Sequence, residues 1–576
     1  MPSPLPRNLT ASGPPVQLAQ VVTIALVAPP AGSPPVPCGE GSVCHAILSR
    51  YETLLAVKTS GNFDGGSDGA VVSNVSVVVI ASSATVATAS VPLPDTLEDY
   101  SLHVNDTSVT IKASSIFGAR AALETFAQMV ANKPGTSAAA SAEGGQISPG
   151  GWLEHSQILI LDSPVHSYRG LMIDTGRNFL ALAVIKRLIV GMAMLKANVL
   201  HWHMTDDQSF PLSTEAYPKL AKRTAFAMTA HYSPADLRGI VQFAASRGVR
   251  VLPEIETPGH GTCRSKAMPP LNLSTCPGVL NPTLPATYEF LLTLLSEVAP
   301  IFPEPTIFLG GDEVKYKCFV EDPGVTKWMA SQCAELGCCG NTTRCSLSML
   351  SYFFEQIQSK VMDKLPVKRA MGVWLADAGN AARGWNPPNV SVLPANALFN
   401  VYQSMETAKI SLSLNRSTVV SVAGSQWYLD YKTSFEAVWN VQPCKQLGCD
   451  TAPAGFREHL LGGDVCTWGS KVDDRKASLD TDVFAGGLAA MAERLWSDPP
   501  PSIGGAPKAG GAAAKARYHQ LACHWSLWGI STYDRLMYGG KIETQGWPCS
   551  YAGGSVSVTP VFGDGDCPSD WSDVVQ

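Results

Sequence analysis

The stretch that organises this chain is Thr306-Ile307-Phe308-Leu309-Gly310-Gly311-Asp312-Glu313. Its first four residues, three of them strongly apolar, predict a buried β-strand. The two glycines let the backbone turn sharply where the strand ends, and two carboxylates follow side by side. Because acids at the end of a buried strand are costly unless they are paired or used, the stretch favours a catalytic site over a turn with a salt-bridged acid pair.

The bulk composition narrows the class of protein. The 576 residues exceed a typical single core, so two domains are predicted, and the chain is 45% apolar and 16% charged with a net charge of −6. The chain has no block of basic residues of the kind that would indicate nucleic-acid binding. It also has no apolar run of about 18 residues, the length that spans a bilayer. The start lacks the basic region of a signal peptide, so the numbering is expected to begin at or near the mature chain.

Two features point to the secretory route. Seven N-x-Ser/Thr sequons begin at Asn8, Asn74, Asn105, Asn272, Asn341, Asn389 and Asn415. Among the fifteen cysteines, loop clusters are formed by Cys38 with Cys44, by Cys444 with Cys449, and by Cys333, Cys338, Cys339 and Cys345. Clustering in loops favours disulfides, with a zinc site in the group of four as the alternative.

The patterns divide the chain into three parts. Residues 1–165 are predicted to form a small α+β domain, with strands within Val71–Ala87 and at Ser108–Ala113 and an amphipathic helix at Ile116–Ala131. This part shows no catalytic constellation and is expected to be structural. Residues 166–550 are predicted to form the catalytic domain, and 551–576 a tail without an assigned role.

From residue 166, short apolar strands alternate with longer helical segments such as Leu182–Leu195, which indicates a parallel sheet with crossover helices. Eight strands predict a (β/α)8 barrel; a doubly wound open sheet is the alternative, but no Gly-rich dinucleotide fingerprint follows a strand. The predicted strands are Arg169–Asp174, Asn198–His203, Val249–Glu254, Thr306–Leu309, Ala370–Trp374, Ala397–Tyr402, Val419–Ala423 and Leu460–Gly463.

Acids, histidines and tryptophans concentrate where these strands end, which is where such barrels carry their active sites. The residues concerned are Asp174, His201, His203, Asp206, Asp207, Glu254, Glu256, His260, Asp312, Glu313, Trp374, Trp427, Tyr428, Asp430, Asp464 and Trp468, with Arg169 beside the first strand. Carboxylates perform acid–base chemistry and indoles stack on pyranose rings, so the set predicts a sugar site. Metal binding by His201 and His203 is the alternative.

Several motifs, in order along the chain, resemble the β-N-acetylhexosaminidases of glycoside hydrolase family 20, most closely the eukaryotic lysosomal type. They are Arg169-Gly170-Leu171-Met172-Ile173-Asp174-Thr175, His201-Trp202-His203, Asp206-Asp207, Thr257-Pro258-Gly259-His260, Gly310-Gly311-Asp312-Glu313 and Ala492-Glu493-Arg494-Leu495-Trp496-Ser497. The resemblance implies the α+β domain and barrel predicted above, a carbohydrate substrate and no cofactor or metal.

The resemblance also implies a mechanism, in which the 2-acetamido group of the sugar is the nucleophile. Glu313 then acts as general acid and base, and Asp312 orients the acetamide. Binding roles are implied for Arg169 and Asp430 at the sugar hydroxyls, for Tyr428 at the acetamide carbonyl, and for Trp374, Trp427 and Trp468 as pocket walls. His260, with Asp206 or Asp207, is expected to adjust the pKa of Glu313.

The chain departs from the family at Ser470, where a glutamate commonly grips the 4- and 6-hydroxyl side of the sugar, so the preference between GlcNAc and GalNAc stays open. The resemblance implies disulfides between Cys276 and Cys318 and between Cys523 and Cys549, and relatives of this type commonly form dimers. It leaves open whether the protein is lysosomal, vacuolar or secreted. Two other functions remain as alternatives: an inactive carbohydrate-binding relative and an enzyme that cuts another 2-acetamido glycoside.

Overall fold

The structure is a computed structural model that describes residues 4–59, 71–130, 151–376, 389–422, 435–449, 451, 455–469 and 481–497. The chain forms first an open mixed β-sheet and then a closed parallel β-barrel. Both were predicted from the sequence, and the (β/α)8 barrel preceded by an α+β domain is confirmed.

The N-terminal domain is a seven-stranded sheet with the order β1-β7-β4-β5-β3-β2-β6. Alternating apolar residues bury one face of these strands against helices α1 and α3, where Tyr51 Oη donates to Glu124 Oε2 at 2.7 Å. The strands are Asn8–Ser12 (β1), Val16–Val27 (β2), Val71–Val79 (β3), Tyr100–Asn105 (β4), Ser108–Ala113 (β5), Trp152–Leu153 (β6) and Gln157–Asp162 (β7), and the helices are Val43–Thr59 (α1), Ala84–Ala87 (α2) and Ile116–Met129 (α3). Strands were predicted within Val71–Ala87; β3 covers the first part of this stretch, but its end forms α2, at whose start the Ser83 side chain accepts a hydrogen bond from Val86 N.

The barrel closes in sequence order from β8 to β15, with every neighbouring pair parallel. Its strands are near-continuous apolar runs because both faces of a parallel sheet are covered. The strands are Tyr168–Asp174 (β8), Val199–His203 (β9), Arg250–Glu254 (β10), Thr306–Phe308 (β11), Ala370–Leu375 (β12), Leu398–Val401 (β13), Ser417–Val420 (β14) and Leu460–Thr467 (β15). All eight predicted strands are therefore present, with ends that differ by a few residues.

Helices surround the barrel and bury an apolar stripe against it; in α4, for example, Ile185, Leu188 and Met192 are fully buried. The helices are Leu182–Met194 (α4), Lys219–Thr224 (α5), Pro234–Ala245 (α6), Thr262–Ala267 (α7), Pro285–Val298 (α8), Lys317–Glu321 (α9), Pro323–Ser331 (α10), Thr342–Lys360 (α11), Met405–Ser413 (α12), Phe435–Trp439 (α13), Pro443–Leu447 (α14), Phe456–His459 (α15) and Ala489–Ser497 (α16), which a π-helical segment at Thr481–Leu488 precedes. None of the helices in the described ranges has the length and apolar character to cross a membrane.

Disulfides fasten the loops. Cys276 and Cys318, the pair that the family resemblance implies, are joined, and so are Cys38 and Cys44. The clustered cysteines pair as Cys333–Cys339, Cys338–Cys345 and Cys444–Cys449, so the zinc alternative for the group of four was wrong. Cys523 and Cys549 lie outside the described residues.

Candidate active site

The acid pair stands on a sharp turn after β11. Gly310, Gly311 and Glu313 all have positive φ, at +71°, +89° and +54°. A Cβ on Gly310 would lie 1.7 Å from Glu256 Oε2, and Gly311 N donates to Glu256 Oε1 at 2.9 Å. The two glycines are therefore required both by the backbone conformation and by the carboxyl group that lies beneath them.

Asp312 and Glu313 differ in exposure. The Asp312 side chain is 12% exposed and its Oδ1 has no hydrogen-bond partner among the described residues, whereas the Glu313 side chain is 37% exposed. Burial raises the pKa of both acids, and Asp312 raises the pKa of Glu313 further. A carboxyl group whose proton is held to higher pH in this way suits a general acid.

His260 lies between this pair and a second pair of acids. Its Nδ1 is 3.3 Å from Asp206 Oδ1 and 3.4 Å from Asp207 Oδ2, and its Nε2 is 3.7 Å from both Asp312 Oδ2 and Glu313 Oε2. Burial alone lowers the pKa of His260, but Asp206, Asp207 and Asp312 together bring it well above its usual value. The imidazole is therefore a cation at neutral pH, and it in turn lowers the pKa of Asp312 and Glu313.

Arg177, which follows β8 by three residues, is a further cation at the C-terminal end of the barrel. Its Nη1 lies 3.0 Å from Asp174 Oδ2 and 2.8 Å from Asp206 Oδ2, and its guanidinium lies 4.9 Å from the centre of the Trp468 ring. Arg177 thus joins the carboxylates beside His260 to an aromatic wall of the site.

The prediction that Arg169 binds the sugar was wrong. Arg169 is the second residue of β8, at the end of the barrel opposite to Asp312 and Glu313, and it is fully buried. Its Nη2 donates to Glu98 Oε2 at 2.5 Å, and its guanidinium lies 5.0 Å from the centre of the Trp496 ring. Arg169 therefore joins the N-terminal domain to the bottom of the barrel.

His201 and His203, the alternative metal ligands, are each held between carboxylates. His201 lies 2.7 Å from Asp464 Oδ2 and 2.9 Å from Glu254 Oε2. His203 lies 2.9 Å from the same Glu254 oxygen and 2.8 Å from Asp206 Oδ2. All four ring nitrogens thus face acids, an arrangement that favours imidazolium–carboxylate pairing over metal coordination.

The aromatic residues that the structure describes gather beside this network. Trp374 is almost fully buried, its Nε1 donates to Glu254 Oε1 at 2.7 Å, and its ring centre lies 5.9 Å from that of the half-buried Trp468. The ring centre of Tyr402 lies 5.8 Å from that of Trp374. Trp427, Tyr428, Asp430 and Ser470 lie outside the described residues, so their roles stay predictions.

Sequence reasoning missed Arg177, and it placed Glu254 and Glu256 at the site without giving either an individual role. The position of Arg177 after a strand, and not before it, was the signal that could have found it, because only the C-terminal ends of barrel strands face the site. Glu254 and Glu256 are at the end of β10 and just beyond it, and both are fully buried. An acid on either side of a buried isoleucine is a signal of the same kind.

Two family descriptions match the chain. The description "Glycosyl hydrolase family 20, catalytic domain" matches residues 166–499, and "beta-acetyl hexosaminidase like" matches residues 4–129. The chain therefore belongs to glycosyl hydrolase family 20.

Individual relatives are consistent with this. The human β-hexosaminidase subunit beta is 30% identical over 413 residues, which cover 69% of this chain and 66% of the human chain, just under two thirds. Among solved structures, the chitobiase of Flavobacterium johnsoniae superposes with a TM-score of 0.70 at 21% identity, covering 92% of this chain and 73% of that one. An exo-β-N-acetylglucosaminidase of Vibrio harveyi, in complex with N-acetylglucosamine, gives 0.67 at 19% identity, covering 92% and 77%. At these identities the structural matches establish the shared fold.

Proposed function

We propose that the chain removes terminal, non-reducing β-linked N-acetylhexosamine from glycoconjugates or chitooligosaccharides, with retention of configuration. The observation that carries the proposal is the adjacent pair Asp312 and Glu313, whose side chains differ in burial and stand on a glycine turn at the barrel's C-terminal end. Neighbouring residues direct their side chains differently, so the two acids do not flank one bond as an acid and a protein nucleophile do. The nucleophile is then left to the substrate.

In the first step, the acetamido carbonyl oxygen of the sugar attacks C1 while Glu313 gives its proton to the glycosidic oxygen. The C1–oxygen bond breaks, the aglycone leaves as an alcohol, and a cyclic oxazolinium ion remains. In the second step, ionised Glu313 takes a proton from water, whose oxygen attacks C1 from the face that the aglycone left. The ring opens, the acetamide is restored, and Glu313 is protonated again.

Asp312 has the complementary task. The oxazolinium carries a positive charge, and an ionised Asp312 both accepts a hydrogen bond from the acetamide N–H and stabilises that charge. Its Oδ1, buried and without a partner among the described residues, supports this role because it leaves an acceptor available to a ligand. Trp374 and Trp468 are suited to form the wall of the acetamide pocket, and Arg177 replaces Arg169 as the cation of the site.

The test is hydrolysis of nitrophenyl β-GlcNAc and β-GalNAc by the wild type, Glu313→Gln and Asp312→Asn. We expect each variant to lose more than about 100-fold in kcat, the usual size of acid–base and electrostatic contributions. Glu304→Gln is the matched control, because Glu304 is a buried acid paired with Arg250 at 2.7 Å before β11, away from the site. Wild-type inactivity on both substrates would overturn the proposal.

Two further measurements test the mechanism. Nitrophenyl β-glucoside lacks the acetamide and therefore should not be cleaved, and proton NMR of the first product should show the β-anomer. Cleavage of the glucoside at a comparable rate, or initial release of the α-anomer, would exclude substrate assistance with retention.

We further propose passage through the secretory pathway to a lysosome, a vacuole or the cell exterior, and assembly as a homodimer. The five described disulfides support the first statement, because such bonds persist in oxidising compartments. A shift in gel mobility after N-glycanase and a mass by light scattering test the two statements. An unshifted band from a eukaryotic host and a monomer mass would contradict them.

A further inference from the structure

A row of alternating carboxylates and imidazoles runs from the centre of the barrel to the acid pair. Asp464, on β15, lies 2.7 Å from His201, which lies 2.9 Å from Glu254. The row continues from Glu254 to His203 at 2.9 Å and from His203 to Asp206 at 2.8 Å. It then passes from Asp206 to His260 at 3.3 Å, and His260 lies 3.7 Å from Asp312 and Glu313.

Glu254 lies in the middle of this row. Its Oε2 is 2.9 Å from both His201 Nε2 and His203 Nδ1, and its Oε1 accepts the hydrogen bond of Trp374 Nε1 at 2.7 Å. The side chain is fully buried. One carboxylate therefore contacts both inner imidazoles and the indole beside the site, a degree of sharing that a local salt bridge does not need.

We propose that Glu254 is a positioning residue that fixes the charge and orientation of His203, and through Asp206 and His260 those of Asp312 and Glu313, while it holds Trp374 in place. This inference rests on the proposed function, which assigns the chemistry to Asp312 and Glu313. The proposal gives the interior of the barrel two roles: it forms a packed core, and it sets the pKa values of the acids that carry out the reaction.

The charged groups around Glu254 determine in which direction the pKa values of the site should shift when Glu254 is replaced. The groups that face the row are His201 and His203 from β9, Asp464 and Tyr168 from β15 and β8, Glu256 beyond β10, Asp312 and Glu313 after β11, and Asp174, Arg177, Asp206, Asp207 and His260 from the loops. Glu254 raises the pKa of His201, of His203 and of Asp312, whereas the imidazoles lower the pKa of Glu254.

Glu254→Gln tests the charge while keeping an acceptor for Trp374. Without the Glu254 carboxylate, the net positive charge near Asp312 increases, so the pKa of Asp312 falls. The acidic limb of the pH dependence of kcat should therefore move to lower pH. The groups that shift the pKa of Glu313 are Asp312, His260, Arg177 and Asp206, so the basic limb should move less than the acidic limb. We expect shifts of about half a pH unit or more, together with a fall in kcat that exceeds the change in KM.

Two variants separate this effect from structural damage. Trp374→Phe removes the indole N–H and leaves the charges, so it should raise KM without moving either limb. Glu304→Gln removes a buried, ion-paired acid outside the row and should leave both limbs in place even if it destabilises the protein. Limbs that move equally in Glu254→Gln and Glu304→Gln, or in neither, would overturn the proposal.

A second readout does not depend on turnover. By ¹⁵N NMR, with signals assigned from single His→Gln variants, His201 should stay protonated to about pH 8 in the wild type, since its pKa is raised to about 9. The pKa of His203 should lie well above the usual value, because Glu254, Asp174 and Asp206 raise it. In Glu254→Gln both should titrate at lower pH. Unchanged titration would refute the role of Glu254, whereas wild-type inactivity with the expected titration would refute only the proposed function.

Discussion

Charged groups are buried at both ends of the barrel, but they are satisfied differently. At the N-terminal end, each part of the Arg169 guanidinium donates: Nε to Lys196 O at 2.8 Å, Nη1 to His166 O at 2.6 Å and Nη2 to Glu98 at 2.5 Å. At the C-terminal end, Asp312 Oδ1, Glu256 Oε2 and His260 Nε2 have no hydrogen-bond partner among the described residues. Unpaired buried atoms also occur at Arg120 Nε and Glu304 Oε2, so neither burial nor incomplete pairing alone identifies the active site. At the C-terminal end the unpaired atoms are clustered around the turn that carries Asp312 and Glu313.

The two ends of the barrel also differ in which groups can pair with their buried charges. Lys196 at the N-terminal end lies 3.3 Å from Asp162 and 4.2 Å from the Trp496 ring centre, so protein groups from both domains complete the cluster. The C-terminal end instead has acceptors and a cation that face one another across 3.7 Å. Groups at that distance, held on left-handed backbone at Glu313 and His260, are arranged for a ligand.

The largest effect on stability should come from removing a charge at the N-terminal end, where the Arg169 guanidinium is fully hydrogen-bonded. Arg169→Met leaves the buried Glu98 without its cation, so we expect the free energy of unfolding to fall by about 3–5 kcal/mol. The protein that remains folded should keep its kcat, because Arg169 lies at the opposite end from the acid pair. Urea unfolding and active-site-normalised kinetics measure the two quantities. A loss of kcat at unchanged stability would restore Arg169 to the site.

Arg177→Met is the counterpart at the C-terminal end. The Arg177 side chain is 18% exposed, and its loss frees Asp174 and Asp206 from a cation beside Trp468. We expect kcat/KM to fall by about 10- to 100-fold, equal to about 1.4–2.7 kcal/mol of transition-state stabilisation. The unfolding free energy should fall less than in Arg169→Met. The reverse ranking of the two variants would contradict the comparison.

These two arginines also show how far the sequence could predict the structure. The strands were predictable because buried parallel strands are short apolar runs, and Asp312 and Glu313 were predictable because they follow one directly. Arg169 and Asp174 bracket the same strand, and the direction of that strand decides which of its ends reaches the site. Arg177 should have been preferred on this ground.

Other features could not have been predicted from the sequence. The shared oxygen of Glu254 depends on distances between strands β9 and β10, and neighbours along the chain do not reveal them. The contact of Glu256 with Gly310 and Gly311 depends on the closure of the turn after β11. Both carboxylates are read from the sequence as acids of the site, but their roles follow only from three-dimensional contacts.

His260→Gln should produce a smaller effect with a distinct sign. His260 lowers the pKa of both Asp312 and Glu313, so without this cation both values rise and both limbs of the kcat profile should move to higher pH. A shift of about one pH unit corresponds to about 1.4 kcal/mol. The direction is opposite to that expected for Glu254→Gln. His231→Gln, at a histidine that contacts Ser213 outside the site, is the control and should leave the profile in place.

The smallest effect should come from Glu256→Gln, for which the same substitution at the other end of the barrel, Glu98→Gln, is the comparison. Burial, reinforced by Asp312 and Glu254, raises the pKa of Glu256 well above its usual value, which favours the neutral acid in the folded protein. A glutamine keeps the acceptor for Gly311 N and replaces one neutral group with another. We therefore expect Glu256→Gln to retain kcat within about threefold and to unfold at nearly the wild-type urea concentration.

Glu98→Gln, in contrast, removes the charge that pairs with the buried Arg169 and should destabilise the protein by at least about 3 kcal/mol. Glu256→Leu removes the acceptor beneath Gly311 at similar volume and should lower kcat more than tenfold, since the acid pair stands on that turn. If Glu256→Gln lost as much activity as Glu256→Leu, the carboxyl group would be ionised during turnover. Its place would then be among the charged groups that act on Asp312.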